Sequence, residues 1–236
     1  MTTRYPTTFI LFSLIAGAVC LRLGFWQVDR LTTRRAASAA ALARRSLPAL
    51  DPRQMGDTAQ DRDVVASGRY DYDREIVLRG RARNGVPGVE VVTPLVLPGA
   101  DTAVLVLRGY VPSADAISYD LALHREGDSA TVRGVAWPVP IDSARAVPSE
   151  RNGQVTWHRL DLGTVRDSLP YAVFPLFIIA DSPATVSPQP TRSAAPALDD
   201  GPHLNYAIQW FAFATIAFGG AAALWWNRRR EAASGP

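Results

Sequence analysis

The chain has 236 residues, of which 47% are hydrophobic and 20% are charged, a mixture that suggests membrane segments joined to a soluble domain. A single cysteine excludes an internal disulfide framework, a cysteine zinc site and a CxxCH haem attachment. Eighteen prolines and 17 glycines exclude a long coiled coil or a plain helical bundle. A formal net charge of +3, with acidic residues interleaved throughout, argues against a nucleic-acid partner.

An apolar segment near the N-terminus predicts a first membrane span over residues 9–27, after a short cytoplasmic stretch of residues 1–8. The segment reaches the roughly 20 residues that a span needs if Arg22 snorkels to the interface and Trp26 lies among the interfacial aromatic residues. The alternative is a cleaved signal peptide, for which residues 16–18 form an AxA-like cleavage site. Because the apolar run continues past this site without a polar break, we expect the segment to remain as an anchor.

A second span is predicted over residues 206–226, which carry one polar amide and no charge. At about 1.5 Å per residue, this segment is roughly 32 Å long, which is enough to cross the hydrocarbon core. Three consecutive arginines follow it in a basic tail over residues 227–236. Because positive charge is enriched on the cytoplasmic side of membrane proteins, we expect both termini to be cytoplasmic. An arginine-rich stretch after the first span opposes this assignment, but the rule is weaker for a long translocated domain.

Between the spans, residues 28–200 predict an extracytoplasmic domain that is rich in β-structure. A helix continues from the first span to about residue 45, and prolines at positions 48 and 52 end it. Alternating or apolar runs then predict seven strands, at 63–72, 75–81, 89–97, 103–111, 131–139, 154–160 and 172–179. A short helix is predicted at 162–169, and the Pro-rich residues 182–202 are predicted to form a linker or a surface loop. The fold class is therefore membrane-anchored α+β, with two transmembrane helices flanking a mainly β sheet or open barrel.

No pattern in the chain marks a catalytic site, and we therefore expect that the protein is not an enzyme. The G-x-S-x-G sequence of serine hydrolases does not occur. Asp71, Asp73 and Glu75 form an alternating acidic set near a turn, for which the expected role is a solvated hairpin rim. His124 is predicted to be a solvated loop residue, and His158 a packing or surface residue.

His203 is the one histidine whose position points to chemistry, because it stands one helical turn before Tyr206 at the outer mouth of the second span. Two interpretations of its role are open. A neutral imidazole beside Trp210 at the lipid boundary could ligate the iron of a membrane-soluble haem. Alternatively, His203 caps the helix or contacts lipid headgroups, and position alone favours this second interpretation.

Four short motifs are distributed over the whole chain in a fixed order. They are Leu23-Gly24-Phe25-Trp26-Gln27-Val28-Asp29-Arg30, then Gly85-Val86-Pro87-Gly88 leading to Val92-Thr93-Pro94-Leu95, then Val106-Leu107-Arg108-Gly109-Tyr110-Val111-Pro112, and His203-Leu204-Asn205-Tyr206-Ala207-Ile208-Gln209-Trp210-Phe211. The set resembles the surfeit locus protein 1 family of cytochrome c oxidase assembly factors, with its LGxWQxxR, glycine-turn, RGWVP and HLxYAxxWF elements. Tyr110 stands where that family usually has Trp, and residues 113–160 match none of its motifs.

The resemblance implies a role in the maturation of haem–copper oxidases, around the insertion of haem a into the catalytic subunit. It also implies that haem a binds transiently, with His203 as the iron ligand. Tyr206 and Trp210 would line the site, with Trp210 packed against the ring. Arg108 or Arg30 would meet the haem propionates through charge-assisted hydrogen bonds.

The resemblance is compatible with two different functions. The first is a non-catalytic chaperone that holds or presents haem a. The second is a scaffold that stabilises an oxidase intermediate through its extracytoplasmic domain without touching haem. The expected partners are the oxidase catalytic subunit, the lipid bilayer and, for haem delivery, haem a synthase. Because no transit-peptide pattern precedes the first span, we expect a multi-pass protein of the bacterial inner membrane.

Overall fold

The computed structural model describes residues 5–56, 58–120, 122–142, 144–151, 153–182 and 190–233. They form two compact units: a helical unit of Met1–Ala40 with Leu198–Pro236, and a barrel unit of Ala41–Ala197. The helices are α1 (Tyr5–Arg45), α2 (Leu162–Ser168) and α3 (His203–Ala233). The eight strands are β1 (Asp63–Tyr70), β2 (Ile76–Arg83), β3 (Val86–Val96), β4 (Thr102–Pro112), β5 (Ser129–Pro138), β6 (Ser149–Arg151), β7 (Gln154–Trp157) and β8 (Ala172–Ser182).

In the helical unit, α1 and α3 pack antiparallel through small residues. A Cβ added to Gly24 would lie 2.6 Å from the Phe211 ring, and one added to Gly17 would lie 2.8 Å from the Phe218 ring. On α3 the buried positions are alanines seven residues apart: Ala207, Ala214 and Ala221. Small residues at these positions let two apolar helices approach closely, which is the packing mode of membrane helices.

Both long helices are long and apolar enough to cross a membrane by length and composition. Their outward faces carry large apolar side chains, such as Phe12, Phe25, Ile208 and Ile216, each more than half exposed. Exposed apolar side chains at this density are costly in water and favourable in lipid. The predicted class of two apolar helices around a β-domain is therefore confirmed.

The barrel unit closes into a five-stranded barrel in the order β1-β5-β8-β4-β3, with β3 returning to β1. All neighbours in the barrel are antiparallel except β4 and β8. β2, β7 and β6 extend the sheet from the N-terminal part of β3. The sequence predicted a sheet or an open barrel, and the structure shows a closed one.

The strand β4 explains why the barrel has two hydrophobic layers. Val104 and Val106 point into a cluster that contains residues of all five barrel strands, whereas Leu105 and Leu107 point into a second cluster on the outer face. Successive side chains of a strand alternate between faces, so a central strand that is covered on both sides is apolar over most of its length. The short helix α2 covers the outer face with Leu162 and Val165, and Asp161 caps it by accepting a hydrogen bond from the Thr164 N–H at 3.0 Å.

The weakest junction of the barrel is the seam between β1 and β3. Only two residue pairs join these strands, Arg69 with Val96 and Tyr70 with Leu95. By comparison, seven pairs join β1 to β5, and nine join β3 to β4. A cavity of about 520 Å³ opens beside the seam and is lined by parts of β1, β3 and β5.

The predicted strands correspond to seven of the eight observed, and the predicted short helix at 162–169 is α2. Sequence analysis missed β6, which has three residues and pairs only with β7. The predicted linker at 182–202 lies partly outside the described residues. Within its described part, Thr191 exchanges backbone hydrogen bonds with Tyr110 at 2.7 and 2.8 Å, so this end of the segment is attached to the barrel.

Candidate functional site

His203 is the first residue of α3, and a hydrogen bond holds its ring against α1. Its Nδ1 atom lies 2.8 Å from the Oε1 atom of Gln27, which is 176 residues away in the sequence and only 9% exposed. The Tyr206 N–H donates to the Pro202 carbonyl at 3.2 Å, which forms the first turn of the helix. The histidine that the sequence predicted at the mouth of the second helix is therefore oriented by a side chain of the first.

The opposite edge of the His203 ring faces a glycine. A Cβ placed on Gly201 would lie 3.5 Å from Cδ2 and 3.7 Å from Nε2 of His203, and the φ angle of Gly201 is +64°. A positive φ favours glycine, and a glycine here leaves the ring edge without a covering side chain. Among the residues that the structure describes, no hydrogen bond to Nε2 is seen. Nε2 is therefore the ring atom that could ligate a metal ion if the ring proton lies on Nδ1.

Two ion pairs join the residues just before α3 to α1. Arg34 donates to the Asp199 carboxylate at 3.5 Å and to its backbone carbonyl at 3.2 Å, and Arg35 donates to the Asp200 carboxylate at 2.7 and 3.0 Å. Hydrogen bonding to Arg35 lowers the pKa of the Asp200 carboxyl below its ordinary value. These side chains are about half exposed, and such pairs contribute less to stability than buried ones. Their effect is to fix the entry of the chain into α3.

The predicted aromatic residues of the site lie on or near the same face of α3. Trp210 follows His203 by seven residues, which places it two turns deeper and roughly 10 Å along the axis. Its ring is partly buried and packs edge-on against Phe213 at 6.1 Å between centroids, whereas Tyr206 is 47% exposed. On α1, the Arg30 guanidinium lies 5.6 Å from the centroid of the Trp26 ring.

The first and last motifs of the chain thus meet in one place. Gln27 contacts His203, and Phe25 packs edge-on against Phe211 at 5.3 Å between ring centroids. Sequence analysis singled out His203 and missed Gln27. The signal available for Gln27 was its polarity at the end of an apolar run, but the sequence contains no information on which residue it faces.

Arg108, the fourth predicted site residue, lies in the interior of the barrel unit. It is fully buried, and its guanidinium contacts Glu75 at 2.7 Å and Glu126 at 3.3 Å. Tyr70 and Tyr72 cover it, with ring centroids 5.5 and 5.2 Å from its Cζ atom. The proposed contact between Arg108 and a haem propionate stays a prediction. To make that contact, the guanidinium would have to break its ion pairs with Glu75 and Glu126.

The buried cluster around Arg108 balances two cations against two anions. Arg192 donates to Glu126 at 2.9 Å and to the Arg108 carbonyl at 2.6 Å, and Thr93 donates to Glu75. Burial raises the pKa of the Glu75 carboxyl, and the positive charge of Arg108 opposes that rise. Buried charges of this kind persist only when they are paired and hydrogen-bonded.

The predicted solvated acidic rim is wrong for Glu75, whose side chain is 1% exposed because it is the partner of Arg108. Asp73 is exposed as predicted, and Asp71 accepts a hydrogen bond from the Tyr171 hydroxyl at 2.9 Å. His124 is partly buried, and its backbone carbonyl accepts a hydrogen bond from Arg108. The alternation of charge in the sequence did not indicate which carboxylate turns inward.

Fold and site together define a class of protein: a β-barrel domain inserted between two apolar helices that contact each other through the first and last motifs of the chain. A model of the SURF1 family matches residues 14–215, which include most of α1, the whole barrel unit and the N-terminal part of α3. The chain belongs to the SURF1 family. Membership implies a role in cytochrome oxidase assembly, and proteins of this family are assembly factors that are not known as enzymes.

Relatives match along most of the chain. A SURF1-like protein of Monosiga brevicollis is 27% identical over 232 residues, covering 90% of this chain and 84% of that protein. A SURF1-like protein of Rickettsia felis is 26% identical over 209 residues, covering 85% and 89%. Surfeit locus protein 1 of Takifugu rubripes is 24% identical over 227 residues, covering 85% and 90%. The similarity therefore extends over both helices and the barrel, and is not confined to one motif.

Proposed function

We propose that this protein is an assembly factor for haem–copper cytochrome c oxidase that binds haem a transiently and delivers it to the catalytic subunit. The observation that carries the proposal is the environment of the His203 ring. Its Nδ1 atom is hydrogen-bonded to Gln27, and its Nε2 atom faces Gly201, which has no side chain to cover it. A neutral imidazole held in this way is a suitable axial ligand for haem iron. Family membership supports the oxidase as the destination.

The surroundings of His203 suit an apolar, membrane-soluble ligand. Tyr206 and Leu204 are each nearly half exposed, and they place apolar surface beside the ring. Trp210 lies two turns deeper on the same helix, where its ring would pack against a bound macrocycle. Haem a, as the cargo, supplies the iron, and the residues of this chain bind and orient it.

The proposed topology places both termini in the cytoplasm and the barrel outside it, in the bacterial inner membrane. At the C-terminal end of α3, Arg229 and Arg230 lie 4.0 and 5.5 Å from the ring centroids of Trp225 and Trp226. Aromatic side chains are enriched at both interfaces of membrane helices, and basic side chains are enriched at the cytoplasmic one. Alkaline phosphatase fused after residue 236 should be inactive, and active fusions there would overturn this topology.

The decisive experiment is the optical spectrum of the purified full chain in detergent after expression with haem a synthesis. The wild-type protein should show a haem a spectrum, and His203→Ala should lose it while the protein still inserts in the membrane. His158→Ala is the matched control, because His158 is exposed in the barrel unit, and it should retain the spectrum. A haem spectrum that survives His203→Ala would refute the ligand assignment.

Membranes from a strain that lacks the protein test the wider role. Oxidase activity and the haem a band should both fall, and the wild-type gene should restore them. If the purified protein binds the catalytic subunit but never carries haem, the scaffold function replaces the chaperone function. Unchanged oxidase activity in a strain without a second assembly factor would contradict both.

A further inference from the structure

We propose that Gln27 is a positioning residue that fixes the tautomer of His203 by accepting a hydrogen bond from its Nδ1–H. The lone pair is then held on Nε2, the edge of the ring that faces Gly201. This inference rests on the proposed function in one respect, the identity of the metal as haem iron. The hydrogen bond and the tautomer are properties of the protein alone.

The position of Gln27 is rigid because of its neighbours on α1. One turn earlier, Gly24 packs against the Phe211 ring, and one turn later Leu31 is 5% exposed. Gln27 itself is buried between them, and its Oε1 lies 2.8 Å from Nδ1 of His203. Because the amide is buried, turning it away from the imidazole would leave a polar group without a hydrogen-bond partner, which is costly.

The chemistry of the pair assigns the proton. A neutral imidazole has one N–H and one lone pair, and an amide oxygen can only accept. With Gln27 Oε1 at Nδ1, the proton is on Nδ1 and Nε2 is the free donor atom. Groups that accept the N–H of a ligating histidine orient its ring and raise its basicity toward the metal, and their loss costs 10–100-fold in metal affinity in typical cases.

The choice of an amide has a further consequence for a carrier. A carboxylate at this position would draw the Nδ1 proton more strongly and hold the metal more tightly. It would also place a negative charge in a buried helix contact, which is costly without a partner. An amide fixes the ring at lower cost and leaves the iron easier to release, which suits transient binding.

Gly201 contributes to the same arrangement from the other side of the ring. A methyl group at this position would meet Cδ2 and Nε2 at van der Waals distance. The glycine therefore keeps open the edge of the ring that Gln27 makes basic. The two residues act on opposite sides of one imidazole, and both lie outside the described barrel unit.

The first test needs no haem. The full chain, labelled with ¹⁵N-histidine in detergent, should show His203 with a protonated Nδ1 and an unprotonated Nε2; His203→Ala assigns the signal. Gln27→Leu should shift the population toward the Nε2–H form that a free histidine side chain prefers in water. Gln209→Leu, the same change at an exposed position of α3, should leave the tautomer unchanged. Wild-type His203 in the Nε2–H form would overturn the inference.

The second test measures the strength of the bond between the haem iron and His203. In the haem-loaded protein, Gln27→Leu should lower haem affinity by roughly 10-fold or more and lower the iron–histidine stretching frequency in resonance Raman spectra. Gln27→Glu, which is nearly isosteric, should raise that frequency, lower the reduction potential and slow haem release. If haem binds but neither variant moves the frequency or the potential, Gln27 is not a positioning residue, although the proposed function stands. If the tautomer responds as expected but the wild type never binds haem, the proposed function fails and the hydrogen bond remains.

Discussion

A fully buried arginine determines the polar interior of the barrel unit. Arg108 holds Glu75 and Glu126 inside a shell of tyrosines, and Arg192 supports Glu126 from the chain that leaves the barrel. Arg108 and Glu75 depend on each other, since both side chains are almost fully buried and water cannot replace a lost partner. The loss of one side chain of this group should therefore have a large effect on the free energy of unfolding.

Removing the Arg108 charge should therefore destabilise the protein strongly. Arg108→Met leaves Glu75 buried without its ion-pair partner, with the Thr93 hydroxyl still donating to it, and we expect a loss of about 3–5 kcal/mol in the free energy of unfolding. Denaturant unfolding followed by tryptophan fluorescence measures the change. Arg81→Met is the control: Arg81 pairs with Glu90 at 3.1 Å in a partly exposed site, where the expected loss is about 1 kcal/mol or less. Similar losses for the two variants would contradict the buried-network account.

Coupling within the network gives a second check on the same prediction. When Glu75→Gln is combined with Arg108→Met, the double variant should lose less stability than the sum of the two single variants, because each single change leaves an unpaired charge that the other removes. Strict additivity would show that the pair is not energetically connected.

At the scale of elements, β4 holds the returning chain through its glycine. Gly109 has a φ angle of +141°, and a Cβ added there would lie 2.3 Å from the Thr191 carbonyl oxygen. The next residue, Tyr110, exchanges both backbone hydrogen bonds with Thr191, and its hydroxyl donates to the Val86 carbonyl at 2.7 Å. The arginine–glycine–aromatic motif thus has a structural role: its arginine is the buried charge and its glycine permits close approach of the backbone.

Gly109→Ala should disrupt this junction. The methyl group would collide with the Thr191 backbone. We therefore expect a loss in the free energy of unfolding that exceeds the roughly 1–3 kcal/mol of a strained backbone conformation alone. Gly99→Ala is the matched control, because Gly99 also has positive φ (+67°) but has open space around it, so only the conformational cost applies. Thermal denaturation of the two variants compares these costs. Equal shifts in Tm would mean that Thr191 does not lie against β4.

The strands were predictable because hydrophobic alternation and turn residues are local signals. β4 was recognised from its apolar run, and α2 was predicted as a short helix at 162–169. The closure of β1 on β3 was not predictable, since it depends on pairing between strands distant in sequence. For the same reason the sequence identified His203 but neither Gln27 beside it nor the inward orientation of Glu75, because partners in space leave no periodic pattern along the chain.

At the scale of the whole molecule, polar and apolar surfaces are divided between the two units. The large exposed apolar side chains concentrate on α1 and α3, whereas the barrel unit buries its apolar residues in two layers. The units are joined by the chain at residues 40–41 and 197–198. This division indicates that the barrel has its own hydrophobic core and does not need lipid to fold.

A fragment of residues 41–197 should therefore be soluble and fold by itself. We expect a β-rich far-UV circular dichroism spectrum and one cooperative thermal transition in the absence of detergent. The full chain, by contrast, should require detergent to remain in solution, because its helices expose apolar faces. A fragment that aggregates or melts without cooperativity would contradict the independence of the barrel.

The seam between β1 and β3 has a dynamic consequence. With two residue pairs there, against seven and nine at neighbouring junctions, thermal opening of the barrel should begin at this junction and extend along β1. Amide protons near the end of β1 should therefore exchange with solvent deuterium by brief local opening, while those of β4 exchange only on global unfolding. The barrel would then open and close locally at this one junction while the rest of the sheet stays folded.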